Sequence, residues 1–227
     1  IETMVTNDRN VTSGILRIVK EKFITDLVLG WSEDKSIADI IFGKTFDSLV
    51  RQTTQTIFIT RLVTSLSVQR NLLLICPVFA EKESGFYKWL HSMLNTALHL
   101  RMKLQLYATE EVRTDVMEYA RSNKLGLEIV YKGPFEYGNL NQWTRQVLTD
   151  DMLVFACSRQ GGISYTPVLD LLPRKMAKAF NGHNLIFIYP ATTAEAAISN
   201  YDQDVTGGIL EKSISVFKSA KKLFRRD

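Results

Sequence analysis

"RNLLLICPVFAEKESGFYKWL" runs from Arg70 to Leu90. Its first part is a continuous apolar run closed by Pro77, the pattern of a strand buried on both faces. Its second part changes period. Phe86, Trp89, Leu90, Met93, Leu94, Ala97 and Leu98 recur at helical spacing and predict one amphipathic helix within Glu83 to Met102. The rest of the chain repeats this alternation. "LQLYAT" is a strand, and Thr109 caps the helix "EEVRTDVMEYARSNK". "LGLEIVYK" is a strand, "GPFEYGN" a loop, "LNQWTRQVL" a helix and "DMLVFACS" a strand. "PVLDLLPRKMAKAF" is a helix and "HNLIFIYP" the last strand. Five strands interleaved with helices predict an α/β fold, a parallel sheet with helices on both faces.

Toward the N-terminus the same grammar continues. "VTSGILRIVKEKF" places Ile15, Ile18, Val19 and Phe23 on one helical stripe. "TDLVLGW" is a buried strand. "KTFDSLVRQT" is a short helix with Phe46, Leu49 and Val50 inward, "QTIFITRL" a strand and "VTSLSVQR" a linker. The chain also repeats itself. "TDLVLGWS" from Thr25 resembles "DMLVFACS" from Asp151, and "TIFIT" from Thr56 resembles "LIFIY" from Leu185. Both pairs are offset by about 130 residues. This divides the chain into the back half of a first unit (1–66), a complete second unit (67–190), and a polar linker with a basic amphipathic tail (191–227). The absent front of the first unit and a first residue that is not Met lead us to expect a piece of something longer.

Composition narrows the function classes. Lys plus Arg number 28 against 24 acids, a surplus too mild to indicate nucleic acid. The longest apolar runs fall far short of a membrane span, and no stretch reads as a signal peptide. Cys76 and Cys157 each lie inside an apolar run, which predicts buried free thiols in a reducing compartment. His91 and His99 share a helix with no cysteine or carboxylate at metal-ligand spacing, and His183 sits in a turn. Glu81 and Glu83 read as acids favouring a helix N-terminus. Trp89 and Trp143 read as core. No nucleophile, base or metal set emerges, so we expect no enzyme.

One stretch raises a binding question. "GWSEDKSIADIIFGKT" spans Gly30 to Thr45. A glycine at the end of a strand and another before a helix offer backbone N–H groups to an anion at the carboxyl edge of the sheet. The arrangement resembles the universal stress protein family, whose nucleotide-binding members carry G-x2-G-x9-G-[S/T] between the fourth strand and the fourth helix. Gly30 and Gly43 match that spacing. Glu33 replaces the middle glycine and would repel phosphate. Lys44 holds the hydroxyl position and would attract it, with Thr45 one residue late. The plain alternative is that both glycines only shape a turn. In the second unit, Ala156, Arg159 and Leu169 stand where Gly30, Glu33 and Gly43 stand in the first. "SRQGGISYTP" still supplies Arg159, Gly161, Gly162 and Ser164, an anion-friendly loop of different spacing or simply a flexible connection.

A second resemblance covers nearly the whole chain. "DLVLGW", "FGKT", "ICPVFAEKESGFYKWL", "DDMLVFACSRQGGISY" and "LLPRKMAKAF" together look like the cytosolic tail of a bacterial sodium/proton, or monovalent cation:proton, antiporter. There a membrane transporter precedes tandem stress-protein-like regions. The resemblance implies strand order 3-2-1-4-5 in the complete unit. It implies a regulatory or assembly module at the cytoplasmic face of the bacterial inner membrane. The partners would be the antiporter domain of the same polypeptide and a second copy in a homodimer. It implies no certain cofactor, an adenine nucleotide at most weakly bound. The basic tail would lie near the membrane surface or simply be solvated. The rival readings are a free-standing tandem stress protein that binds ATP and a ligand-free dimerisation module. The strand at Leu27–Gly30 lacks its family neighbour, so its outer edge should be covered by another element or chain. The family order also places Cys76 and Cys157 on adjacent central strands, where a disulfide would need both side chains on one face.

Overall fold

The structure is a computed structural model that describes residues 3, 5, 7–31 and 44–193. It contains the expected alternation. Among the described residues, seven strands are β1 Asp26–Gly30, β2 Thr56–Arg61, β3 Asn71–Ile75, β4 Lys103–Tyr107, β5 Ile129–Gly133, β6 Asp151–Ala156 and β7 Leu185–Tyr189. The α-helices described are α1 Val11–Glu21, α2 Lys44–Gln52, α3 Phe86–His99, α4 Glu110–Ser122, α5 Leu140–Gln146 and α6 Val168–Ala179. Side-chain caps start two of them: Asn10 accepts from the Ser13 N–H at α1, and Thr109 from the Val112 N–H at α4. Phe23 departs from the helical stripe drawn in the sequence. It lies beyond the end of α1 with φ 51° and is 88% exposed.

The strands form one sheet in the order β1-β2-β7-β6-β3-β4-β5. The five strands from β3 onward lie in the order 3-2-1-4-5, mutually parallel. The expected five-stranded parallel sheet is present, and β7 is not its outer edge. That strand continues into the first unit through an antiparallel pairing with β2. Helices cover both faces. On one face α3 and α4 pack over Leu72, Leu74, Leu104, Leu106 and Val154. On the other, α2, α5 and α6 pack over Ile57, Ile59, Leu73, Ile75, Phe155 and Phe187. Trp89 and Trp143 are core residues, one in each cluster.

The register refines the internal repeat. Leu27 pairs with Ile57 in the first unit, and Leu153 pairs with Leu185 in the second. Leu27 and Leu153 are the repeat partners, so Ile57 is the structural equivalent of Leu185. The resemblance of "TIFIT" to "LIFIY" is therefore one residue out of step. Such a slip moves every side chain to the wrong face. With the corrected equivalence, the β2–β7 pairing becomes symmetric about the Ile59–Phe187 pair. Ile57↔Tyr189 exchanges with Arg61↔Leu185, and Phe58↔Ile188 with Thr60↔Ile186. The two units meet as an isologous pair would, within one chain.

Two arginines, Arg61 buried and Arg159 half-buried, seal this junction. Arg61, 4% exposed at the end of β2, donates to the carbonyls of Ala177 and Phe180 at the C-terminus of α6. Arg159, following β6, donates to the carbonyls of Val50, Thr53 and Gln55 at the C-terminus of α2, and to Pro190 O at 2.7 Å. The last carbonyls of a helix have no partner within it and carry partial negative charge. Each unit thus caps a helix of the other with a guanidinium. Among the described residues no strand pairs with the outer edge of β1, where Val28 is 68% exposed.

Removing the Arg61 fork takes the guanidinium from the Ala177 carbonyl and leaves the Phe180 carbonyl only the His183 N–H. Arg61→Ala is expected to lower the unfolding free energy by about 3 kcal/mol. Arg61→Lys should recover only part of this, because an ammonium cannot span the same carbonyls. Urea titration of both variants measures it.

Candidate functional site

In an open parallel sheet the strand order changes direction at one point, and ligands gather beyond the carboxyl ends there. Here that point lies between β3 and β6. Two loops meet above it: residues 76–85, which lead into α3, and residues 157–167, which lead into α6. The second contains Arg159, Gly161, Gly162 and Ser164, singled out in the sequence.

The structure places an anion in that loop, and the anion belongs to the chain itself. Glu83 Oε1 accepts from Ser158 Oγ at 3.0 Å, from the Ser164 N–H at 3.0 Å and from Ser164 Oγ at 2.6 Å. Ser158 and Ser164 are buried. Gly162 lies against the same oxygen. A Cβ built on it would stand 2.7 Å from Glu83 Oε1 and 2.6 Å from Ser158 Oγ, which explains the glycine. Gly161 has φ +83°, the left-handed turn that lets the loop double back. The reading of Glu83 as a helix-opening acid is corrected: α3 begins at Phe86, and the carboxylate turns to the other loop. Nothing local in the sequence signals this, because the partners lie 75 and 81 positions away.

Arg159 does not face that cradle as an anion ligand. It spans from the loop to α2 at the unit junction. Burial lowers its pKa to about 10, partly offset by the charge of Glu83, so it remains a cation at neutral pH. Of the first-unit candidates, Gly30 ends β1 with open space around it, and a Cβ there would meet nothing within 4 Å. Lys44 and Thr45 open α2, while Gly43 and Glu33 lie outside the described residues. A cleft of about 610 Å³ runs between the units. It is lined by Asp47 and Arg51 of α2, by Glu83, by Arg159 to Gly162, and by Asp170 and Arg174 of α6.

The cysteines settle a further expectation. β3 and β6 are adjacent and parallel, with Ile75 opposite Phe155. Cys76 is therefore opposite Ala156, one step out of register with Cys157. The two thiols point to opposite faces: Cys76 packs in the cluster under α3 and α4, Cys157 in the one under α2 and α6. Both are free and buried. Burial pushes the Cys157 thiol up to about 12 and the Cys76 thiol higher still, with Glu81 adding to the latter. Among the described residues no group of His, Cys, Asp and Glu is placed to hold a metal ion. His91 contacts Tyr119 and Asn95, and His99 contacts the Asn95 carbonyl.

Comparison with known proteins adds the fold. No family model matches the chain, and no curated protein matches it. Among solved structures, the cytoplasmic domain of a prokaryotic cation chloride cotransporter superposes with a TM-score of 0.53 at 13% identity, over 84% of this chain and 73% of that one. At such identity the likeness is one of fold. A functionally unknown protein from Pseudomonas aeruginosa PAO1 matches with a TM-score of 0.45 at 11% identity, over 85% of this chain and 72% of its own. A protein described as a universal stress protein from Pseudomonas aeruginosa UCBPP-PA14 matches at 0.47 and 10%, over the same shares.

Two outcomes follow from the geometry. Gly162→Ala should cost about 1–3 kcal/mol, since its Cβ must displace Glu83 or Ser158. Gly126→Ala, with open space around it, should stay within about 0.5 kcal/mol. Thermal melts of both variants check this. The thiols give a pH signature. Their folded pKa values lie above the ordinary 9.0. Their contribution to stability is therefore complete below pH 9 and is lost as pH rises from 9 toward 12 and above. The expected slope is about 1.4 kcal/mol per pH unit for each thiol. Cys76→Ala and Cys157→Ala should each flatten the alkaline limb of a stability–pH curve.

Proposed function

We propose that this chain is a regulatory and assembly module of a membrane transporter of the cation/proton antiporter type, sensing a ligand or partner and catalysing nothing. The observation that carries the reading is a fold shared with the cytoplasmic domain of a cation chloride cotransporter. The antiporter-like segments of the sequence fall on the elements that build it: "ICPVFAEKESGFYKWL" on β3 and α3, "DDMLVFACSRQGGISY" on β6 and the loop that holds Glu83. No described helix is long and apolar enough to cross a membrane, so a membrane partner would be supplied by another part of the polypeptide or by another protein. A sheet continuous across both units and pinned by Arg61 and Arg159 suits a rigid body that transmits a bias. Regulation requires that a ligand or partner bind two transporter states with different affinity. The edge of β1 that no described strand pairs is the surface we assign to assembly, either with the transporter or with a second copy in a homodimer. A stress protein that binds ATP is disfavoured by the carboxylate already seated in the loop.

Cell fractionation tests the attachment. Antibody raised against this chain should detect a polypeptide much larger than 25.9 kDa in the inner-membrane fraction, resistant to carbonate extraction. A band near 25.9 kDa confined to the soluble fraction would end the proposal.

A further inference from the structure

We propose that Glu83 is an internal plug: it fills an oxyanion cradle formed by Ser158, Gly162 and Ser164, and a phosphate-type anion entering from the inter-unit cleft competes with it for that cradle. This deepens the ligand-sensing part of the proposed function and rests on it. Three observations carry the inference. First, three donors converge on one oxygen, Glu83 Oε1, from two buried serines. Without the carboxylate the Ser164 N–H and hydroxyl would lose their acceptor, while Ser158 Oγ would keep the Arg159 carbonyl at 3.3 Å. Leaving the buried Ser164 donors unpaired is costly, so the loop needs an acceptor there. Second, the plug is not part of the loop it fills. It comes from the β3–α3 connection, a separate segment of the chain. Third, Glu83 lies on the wall of the 610 Å³ cleft, with room beyond it for a ligand larger than a carboxylate. Arg51 and Arg174 line the same space and supply positive charge, against Asp47 and Asp170.

An oxyanion with several equivalent oxygens takes the same donors as a carboxylate and reaches the cleft arginines as well. A tethered carboxylate holds a strong advantage in effective concentration. The wild-type chain should therefore bind such an anion weakly, and removal of the tethered competitor should reveal the site. Exchange of Glu83 for an anion would also release the β3–α3 connection from the β6–α6 loop. Ligand occupancy would then be coupled to the position of α3.

Inorganic phosphate, titrated into the full 227-residue chain at constant ionic strength and followed by calorimetry and phosphorus NMR, tests the plug. Glu83→Ala is expected to bind phosphate at least about tenfold more tightly than wild type. Glu83→Gln, which keeps the volume and loses the charge, should fall between them. It serves as the reading variant if the alanine protein does not fold by circular dichroism. Glu83→Ala combined with Ser164→Ala should return to the wild-type affinity. The proposal is overturned if the folded Glu83 variant binds phosphate no better than wild type, or if the gain survives loss of Ser164. Neither result touches the membrane attachment, which fractionation decides independently.

Discussion

The antiparallel pairing of β2 with β7 is the constraint on which the remainder of the molecule depends. β1 and β2 are too few to form a stable sheet alone, since a two-stranded ribbon is marginal in water. Joined to β7 they extend a five-stranded sheet to seven and acquire covering helices. The joint is expensive unless the helix ends beside it are satisfied. Arg61 and Arg159 do this across the boundary, each reaching carbonyls of the opposite unit. A buried guanidinium without such carbonyls would be a strong penalty, and buried helix ends without a cation would be another. Each deficit cancels the other, so neither unit is complete without its neighbour.

The same boundary shapes the candidate site. Arg159 leaves the loop after β6 to serve α2, so it is not available to cap that loop's own anion. The cradle is satisfied instead by Glu83, which arrives from the loop after β3. The two charged side chains, Arg159 and Glu83, therefore have different tasks. The arginine fixes the units to each other, and the carboxylate fixes two loops of one unit. The cleft between α2 and the β6–α6 loop remains as the space that these two ties enclose.

The pseudo-symmetry has a physical origin as well. Apolar side chains alternate along β2 and β7 so that Ile57, Ile59, Leu185 and Phe187 face one layer of helices. Phe58, Ile186 and Ile188 face the other. An antiparallel joint preserves those faces only when its centre falls on a paired position, and the Ile59–Phe187 pair is that position. Beyond β1 the repeat is not completed among the described residues. β6, its counterpart, has β3 on that side, whereas β1 has no paired strand there.

The sequence determined the elements, because burial imposes a period of two on half-covered strands, continuous apolar runs on central ones, and a three-to-four spacing on helices. It determined the α/β class and the two free thiols. What it could not resolve turned on register and on distant partners. "TIFIT" and "LIFIY" match as letters, yet only the pairing of Leu27 with Ile57 and of Leu153 with Leu185 reveals the one-residue offset. Cys76 and Cys157 stand at equivalent strand ends, yet the β3–β6 register sends them to opposite faces. Glu83 looked like a helix-opening acid because its helix is adjacent in sequence, whereas its partners are adjacent only in space. Hydrogen bonds between residues 75 to 109 positions apart leave no local periodicity to read. They exist because chain connectivity and sheet order bring two loop ends together, and that is a property of the tertiary structure alone.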